Sequence, residues 1–383
     1  MRILIVGAGI SGLALAALLR QRGLQPLVVD RAADFGEAGY MLGLFPMGNR
    51  VLHGLGAFGT FLDRSEAMDT YVMCNGHGQP MQSFDIAGAL GRFGVTRQLS
   101  RADLLQVLRD AGADVELRMR TRVTEIVEHG QEVEALAGDR SLGRFDLVVG
   151  ADGIHSSVRR FVDGDTEMKP TGWGGWVWWA PAAAAPHRTV TEYWGAGRFV
   201  GIYPIRDRIG VIAAGPEDEI GREALARDGA SPGQRLAALF EDYRGIARAP
   251  FEALPPDPAS MFFWRLEDCR ASRWSRGRVA LMGDSACAFL PTAGVGASMA
   301  LESAAVLADE LGRTDAAGLP LALAHYEARR RKRAEGAQTA SRRIAQLMFV
   351  KSTPVAWGRD QLMKFYSIEE FAKEIEKSLS EPI

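Results

Sequence analysis

Short apolar runs alternate with helically spaced apolar positions through the first third of the chain. RILIV at 2–6 is a run of the kind buried on both faces of a parallel sheet, and Leu13, Leu15, Ala16, Leu18 and Leu19 follow at helical spacing. PLVVD at 26–30 predicts a second strand ending in Asp30, and Pro46 to Leu55 predicts a helix stopping near Gly56. Residues 70–99 are glycine-rich and read as irregular. A helix is predicted over 100–112, capped by Ser100 and stopped by Gly112, and strands are predicted in DVELRM, TRVTEIVEH and FDLVVG at 145–150.

The pattern changes after Lys169. Five of the eight tryptophans fall within 173–194, and RFVGIYPI and RIGVIAAG alternate with period two on either side of Asp207, which predicts an antiparallel hairpin. From Arg278 the chain returns to its first style, with a buried strand in VALMGD and a helix from Ser298 to Leu311.

Glycines sit where the strand and helix patterns meet. In GAGISG, Gly7 permits a tight turn, Gly9 lets the backbone approach a pyrophosphate, and Gly12 lets the helix pack closely on the strand. The helix N-terminus offers N–H groups and partial positive charge to phosphates. Asp30 stands where a dinucleotide fold places the acid that meets ribose hydroxyls. The stretch from Arg2 to Leu19 also imitates a secretory signal, but its glycines interrupt the apolar core and Asp30 fits the nucleotide fold.

Composition narrows the function. A chain of 383 residues suggests two domains, and a net charge of -2 with 24% charged residues argues against nucleic acid as a partner. Cys74, Cys269 and Cys287 contain no C-x-x-C pair and the six histidines are scattered, so no disulfide framework, zinc site or other metal centre is expected. A reducing, cytoplasmic location without stable membrane insertion follows as an expectation.

Two further segments, DLVVGADG at 146–153 and RVALMGD at 278–284 leading into LPTAGVGASMALESA, complete a set of three. In this order and spacing they resemble the single-component FAD-dependent monooxygenases of the aromatic hydroxylase type, over most of residues 1–335. The resemblance implies an α/β fold: a Rossmann-like FAD-binding domain (1–70, 100–170 and 274–340), an inserted antiparallel β-sheet substrate domain (71–99 and 171–273) and a C-terminal helical tail (341–383). It implies that Gly7, Gly9, Gly12, Asp30, Arg31, Arg101, Val123, Asp152, Gly153, Asp284, Pro291, Gly294, Gly296 and Ala297 bind FAD. Of these, Pro291 and Gly294 lie against the reacting ring, and Asp284 meets the ribityl chain. It further implies that NADPH or NADH binds transiently and reduces the flavin. Oxygen then adds, and a flavin hydroperoxide passes one oxygen atom to a small aromatic substrate.

Some positions depart from that family's pattern. Cys287 stands where many members carry histidine, and Val295 where many carry glutamine; neither removes a backbone N–H. The apolar neighbours of Cys287 favour a buried structural thiol. In WGGWVWWAP, Trp176 and Trp178 share one face of a strand and are assigned to the substrate as a stacking wall, with core packing as the alternative reading. The same string resembles a halogenase signature, but the halogenase lysine is missing, since the first lysine is Lys169. A non-catalytic binding protein on the same fold is the other alternative, opposed by the full set of cofactor motifs. RRRKR at 329–333 reads as a solvated helix face, and Ser367 with Glu370 reads as a capping box ahead of an apolar stripe of Ile368, Phe371, Ile375 and Leu379.

Overall fold

The computed structural model describes residues 1–35, 39–226, 231–255, 260–365 and 380. The N-terminal apolar run becomes the strand Ile3–Val6, buried throughout, in the middle of a parallel sheet. Pro26–Val29 and Leu147–Gly150 flank it, with Glu116–Arg118 and Val279–Leu281 beyond them and Ser275–Arg276 added antiparallel at the edge. Because both faces are covered, the four central strands Ile3–Val6, Pro26–Val29, Leu147–Gly150 and Val279–Leu281 are continuously apolar rather than alternating, while the edge strands are polar. Helix Ile10–Gln21 packs against Gly296–Leu311 and Arg101–Ala111. Ser100 caps the last of these by accepting from Asp103 N at 3.0 Å, and Gly112 ends it. Glu125–His129 does not join this sheet but forms a three-stranded antiparallel one with Glu132–Ala137 and Arg140–Phe145.

Residues 70–99 are more regular than their composition suggests. Thr70–Asn75 and Pro80–Asp85 form the edge of an eight-stranded sheet, and Thr70–Asn75 pairs in parallel with Thr189–Trp194, far along the chain. The other strands of this sheet are Phe199–Ile205, Arg208–Pro216, Lys169–Pro181, Phe262–Arg270 and Cys287–Ala288, all paired antiparallel. The predicted hairpin turns at Arg206, which takes a positive φ of 56°.

Period two divides the large sheet into two faces. Trp176, Trp178, Val200, Ile202 and Val211 pack outward with Leu236, Phe240 and Phe251 from short covering helices. Trp173, Val177, Phe199 and Ile212 pack inward with Leu290, Ala345 and Met348.

Helix Leu319–Met348, 30 residues long, runs through position 341 without a break and joins the two regions. The basic run at 329–333 is only in part a solvated face: Lys332 is exposed and Arg329 and Arg331 are partly so, but Arg330 and Arg333 point inward. Arg330 is fully buried and donates to Glu302 Oε2 at 3.0 Å, while Arg333 donates to the same carboxylate at 2.9 and 3.0 Å. The spacing of 330 and 333 puts both guanidiniums on the side facing helix Gly296–Leu311, which carries Glu302. Arg329 donates to Asp309 and Glu310, and Arg331 to Glu335. Helix Thr353–Met363 follows and packs against Pro80–Asp85, with Arg359 donating to Trp194 O at 2.8 Å. The capping box Ser367–Glu370 and the stripe Ile368, Phe371, Ile375 and Leu379 lie outside the described residues. Among the described residues no helix is long and apolar enough to cross a membrane.

Candidate active site

The three glycine segments meet beyond the C-terminal ends of Ile3–Val6, Leu147–Gly150 and Val279–Leu281, where open α/β sheets bind their ligands. Gly7 holds φ +113°, and a Cβ there would overlap the carbonyl of Ala151; a Cβ on Gly12 would overlap Gly7 O. Gly9 differs, because a Cβ would meet nothing nearer than Ala151 O at 4.0 Å and would point into open space. The first turn of helix Ile10–Gln21 begins at this opening, with Gly9 as N-cap. An anion therefore fits at Gly9, close to free N–H groups. Asp30 accepts from Ala8 N at 2.7 Å and Ala32 N at 2.8 Å, so its carboxylate also braces the glycine loop. Arg31 is exposed beside it.

Asp152 links the second and third segments. Its carboxylate accepts from Ser156 Oγ at 2.5 Å, Ser157 N at 2.7 Å and Ser285 Oγ at 3.1 Å. Gly153 donates its N–H to Ser285 Oγ at 3.0 Å and faces open space. The oxygens of Asp152 are thus occupied in holding the loops together. Val123 is buried, and its carbonyl accepts from Ser157 Oγ at 3.2 Å.

Asp284 occupies the turn Gly283–Ser285 that ends strand Val279–Leu281. Protein surrounds it, yet it keeps a large accessible surface, so it lines an internal cleft. Burial pushes its carboxyl up from 3.8 to about 6, against the opposing pull of Arg101 and Arg159. Arg101 is held by its own N–H donating to Tyr40 O at 2.9 Å, and its guanidinium lies close enough to the Tyr40 hydroxyl to act on it electrostatically. Arg159 donates to Ser285 O at 3.2 Å from behind the loop. The cleft thus sets one carboxylate near the Arg101 guanidinium, with Arg159 acting from behind the loop, a setting suited to a polyhydroxyl chain.

Pro291–Ala293 forms a single turn, Gly294 takes φ +65°, and helix Gly296–Leu311 begins immediately after. Gly296 would place a side chain into empty space, while Ala297 is only partly buried. A flat ring fits against this loop with helix N–H groups at its edge. Cys287 is buried, and burial holds its thiol well above the ordinary range. Val295 packs beside Phe45 and Met299.

Residues 1–341 match the family model described as FAD binding domain. The chain belongs to this family of FAD-dependent aromatic monooxygenases. It is 31% identical over 322 residues to a 2-heptyl-3-hydroxy-4(1H)-quinolone synthase of Pseudomonas aeruginosa, covering 80% of each chain. It is 30% identical over 379 residues to a 3-amino-4-hydroxybenzoate 2-monooxygenase of Streptomyces cremeus, covering 95% of this chain and 91% of that one. The structure of Klebsiella pneumoniae HpxO complexed with FAD and uric acid superposes with a TM-score of 0.86 at 25% identity, covering 99% of this chain and 96% of that one. The monooxygenase takes FAD as its cofactor, and Gly9, Gly153 and Gly296 each leave open space where a side chain would stand. The halogenase alternative is not favoured.

The cleft of this monooxygenase does not include every residue expected in it. Trp176 and Trp178 lie on the outer face, their indole N–H groups donating to Ile220 O at 2.7 Å and Pro250 O at 3.0 Å. They fill the core beneath the covering helices, as aromatic residues in strands commonly do. Trp179, on the other face, stacks under the Arg208 guanidinium 4.0 Å from its ring centre. Sequence reasoning missed Tyr40, Arg159 and Ser285. Ser285 was the most legible of these, since it directly follows Asp284; the other two are positioned only by folding.

Proposed function

We propose that an uncharged, electron-rich aromatic compound binds between the Pro291–Ala297 loop and the inner face of the eight-stranded sheet, and there receives one atom of O2, with NADPH or NADH as reductant. The observation that carries this reading is that Tyr40, Tyr71, Tyr203 and Asp284 are all enclosed by protein yet keep accessible surface. They outline a cleft between the two regions of the fold.

The strand register supplies the floor. Phe262, Val177, Ile212, Gly201 and Glu192 are successive cross-strand partners and form one row on the inner face. Up to Glu192 this row is apolar and suits a ring. Relatives named for a quinolone and for an aminohydroxybenzoate bracket the size range.

In this reading Gly7, Gly9, Gly12 and Asp30 hold the pyrophosphate and ribose, with Arg31 outside them. Arg101 and Asp284 hold the ribityl chain, while Asp152, Gly153 and Val123 keep the loops in register. Pro291, Gly294, Gly296 and Ala297 support the ring. FAD supplies hydride acceptance and oxygen activation when bound; the chain's own residues orient the ring and exclude water. The division into residues 1–70, 100–170 and 274–340 for FAD and 71–99 and 171–273 for substrate follows the same reading, as does a cytoplasmic setting. A panel of neutral and carboxylated aromatics should be screened for stimulated NAD(P)H oxidation with product analysis. Neutral phenols, anilines or N–H heteroaromatics should stimulate turnover and gain one oxygen; turnover confined to aliphatic compounds would refute the proposal.

A further inference from the structure

Glu192 lies deep on the inner face of the large sheet and is gripped by three donors. Tyr71 Oη donates to its Oε2 at 2.6 Å, Tyr203 Oη to its Oε1 at 2.8 Å, and Trp194 Nε1 to Oε2 at 3.1 Å. Each tyrosine thereby uses its only hydrogen, so the remaining lone pairs on both phenolic oxygens can only accept. Gly201 makes the arrangement possible, because a Cβ there would lie 2.6 Å from Cε2 and Oη of Tyr203, whose ring covers it.

Burial raises the proton affinity of Glu192 and of both tyrosines, while the three donors on the Glu192 oxygens oppose that rise and favour its ionised form; among the described residues no arginine or lysine is among the groups acting on the carboxyl. A buried carboxyl without a counter-ion is costly to the fold. All three residues nonetheless keep some accessible surface. Tyr71 and Tyr203 pack against the cluster that contains Phe45, which lies beside Gly294, and Phe289 and Val295 border the same cluster from the 291–297 loop and its approach. The triad therefore faces the cleft opposite that loop.

We infer that Glu192, Tyr71 and Tyr203 form a selectivity site: the two tyrosine oxygens accept an O–H or N–H donor on a neutral aromatic ring, and the carboxylate behind them rejects rings bearing a carboxylate. The inference rests on the cleft proposed above. A second carboxylate brought beside Glu192 would meet a like charge in a poorly screened interior, with no cation among the described residues acting on that carboxylate to offset it. A phenol, an aromatic amine or a ring N–H would instead extend the hydrogen-bond chain already pointing at Glu192. Such donors also enrich the ring with electrons, which suits transfer of an electrophilic oxygen.

Three ring-matched probes separate the contributions: 2-naphthol, 2-methoxynaphthalene and 2-naphthoate, each titrated into the FAD-loaded protein. Binding is read from the change in flavin absorbance, which reports a ligand near the ring, and from tryptophan fluorescence. The wild type should bind 2-naphthol roughly tenfold or more tightly than either analogue. Glu192→Gln should bind 2-naphthoate roughly tenfold more tightly than the wild type does. Tyr203→Phe keeps the charge and should lose preference for 2-naphthol over 2-methoxynaphthalene while still rejecting 2-naphthoate. Thermal unfolding and flavin content show whether each variant is folded, and Tyr203→Phe decides the matter should Glu192→Gln not fold. Binding of the three probes with equal affinity, or an unchanged ranking in the folded variants, would overturn the selectivity site and leave the cleft standing. If no probe perturbs the flavin of the wild type, the cleft itself is refuted and the inference falls with it.

Discussion

Ser285 Oγ donates to Asp152 Oδ1 at 3.1 Å and accepts the Gly153 N–H at 3.0 Å, which ties the Asp-Gly loop to the turn carrying Asp284. Asp152 also receives Ser156 and Ser157 at the start of a helix. Asp152→Ala should therefore lower unfolding stability by about 1–3 kcal/mol through lost capping and unpaired donors, and should weaken FAD binding by releasing Asp284. Urea unfolding of the apoprotein and an FAD titration measure the two effects; unchanged FAD affinity would show that the loops do not act together.

Two glycines in one motif should fail differently. Gly9→Val points a side chain into open space, so the protein should fold but purify without flavin. Gly12→Val collides with Gly7 O inside the fold and should prevent stable folding. Circular dichroism and flavin absorbance distinguish them, and a yellow Gly9→Val protein would remove the phosphates from this loop.

The inner and outer faces of the large sheet make a second contrast. Trp178→Ala removes a core indole and its bond to Pro250, and should cost about 3–5 kcal/mol of stability with little effect on ligand affinity in the protein that remains folded. Ile212→Ala shortens the floor of the cleft and should weaken aromatic binding roughly tenfold. The reverse assignment of effects would put the substrate on the tryptophan face.

The legible parts of this chain were those coded locally. RILIV, GAGISG and the helix after them form one strand–turn–helix unit, and Ser100 and Gly112 mark a helix by their own chemistry. What stayed hidden depends on distant partners. Thr70–Asn75 is a strand because Thr189–Trp194 lies beside it, and a single glutamate in TEYW gives no sign that two tyrosines from other strands converge on it. Likewise, Arg330 looks solvated until Glu302 is placed opposite it.

That pair carries its own prediction. Glu302→Ala would leave the Arg330 guanidinium buried beside Arg333 without its carboxylate, at a cost of about 3–5 kcal/mol. Chemical denaturation of the variant checks this. A loss below about 1 kcal/mol, the range of exposed pairs, would mean that water reaches the helix interface.

Acid should loosen the flavin. The Asp284 carboxyl is raised from 3.8 to about 6 in the folded apoprotein, so the apoprotein holds this proton more tightly than the unfolded chain. Its contribution to apoprotein stability therefore declines as pH rises from about 4 to about 6 and is flat above that. Ribityl hydroxyls donate to the ionised form, so FAD affinity should fall as pH drops below about 6, and Asp284→Asn should bind more weakly with a flat profile over that range. Isothermal titration across pH 5–8 tests the sign; affinity that rises on acidification would contradict this placement of Asp284.

Turnover under 18O2 shows whether the enzyme transfers an atom of O2 to an aromatic ring. With a neutral aromatic from the screen and NAD(P)H as reductant, mass spectrometry should show product carrying one 18O atom, in amount equal to the NAD(P)H consumed after subtracting any hydrogen peroxide. Oxygen drawn from water, a halogenated product, or NAD(P)H oxidation that yields only hydrogen peroxide with every aromatic tried would contradict it.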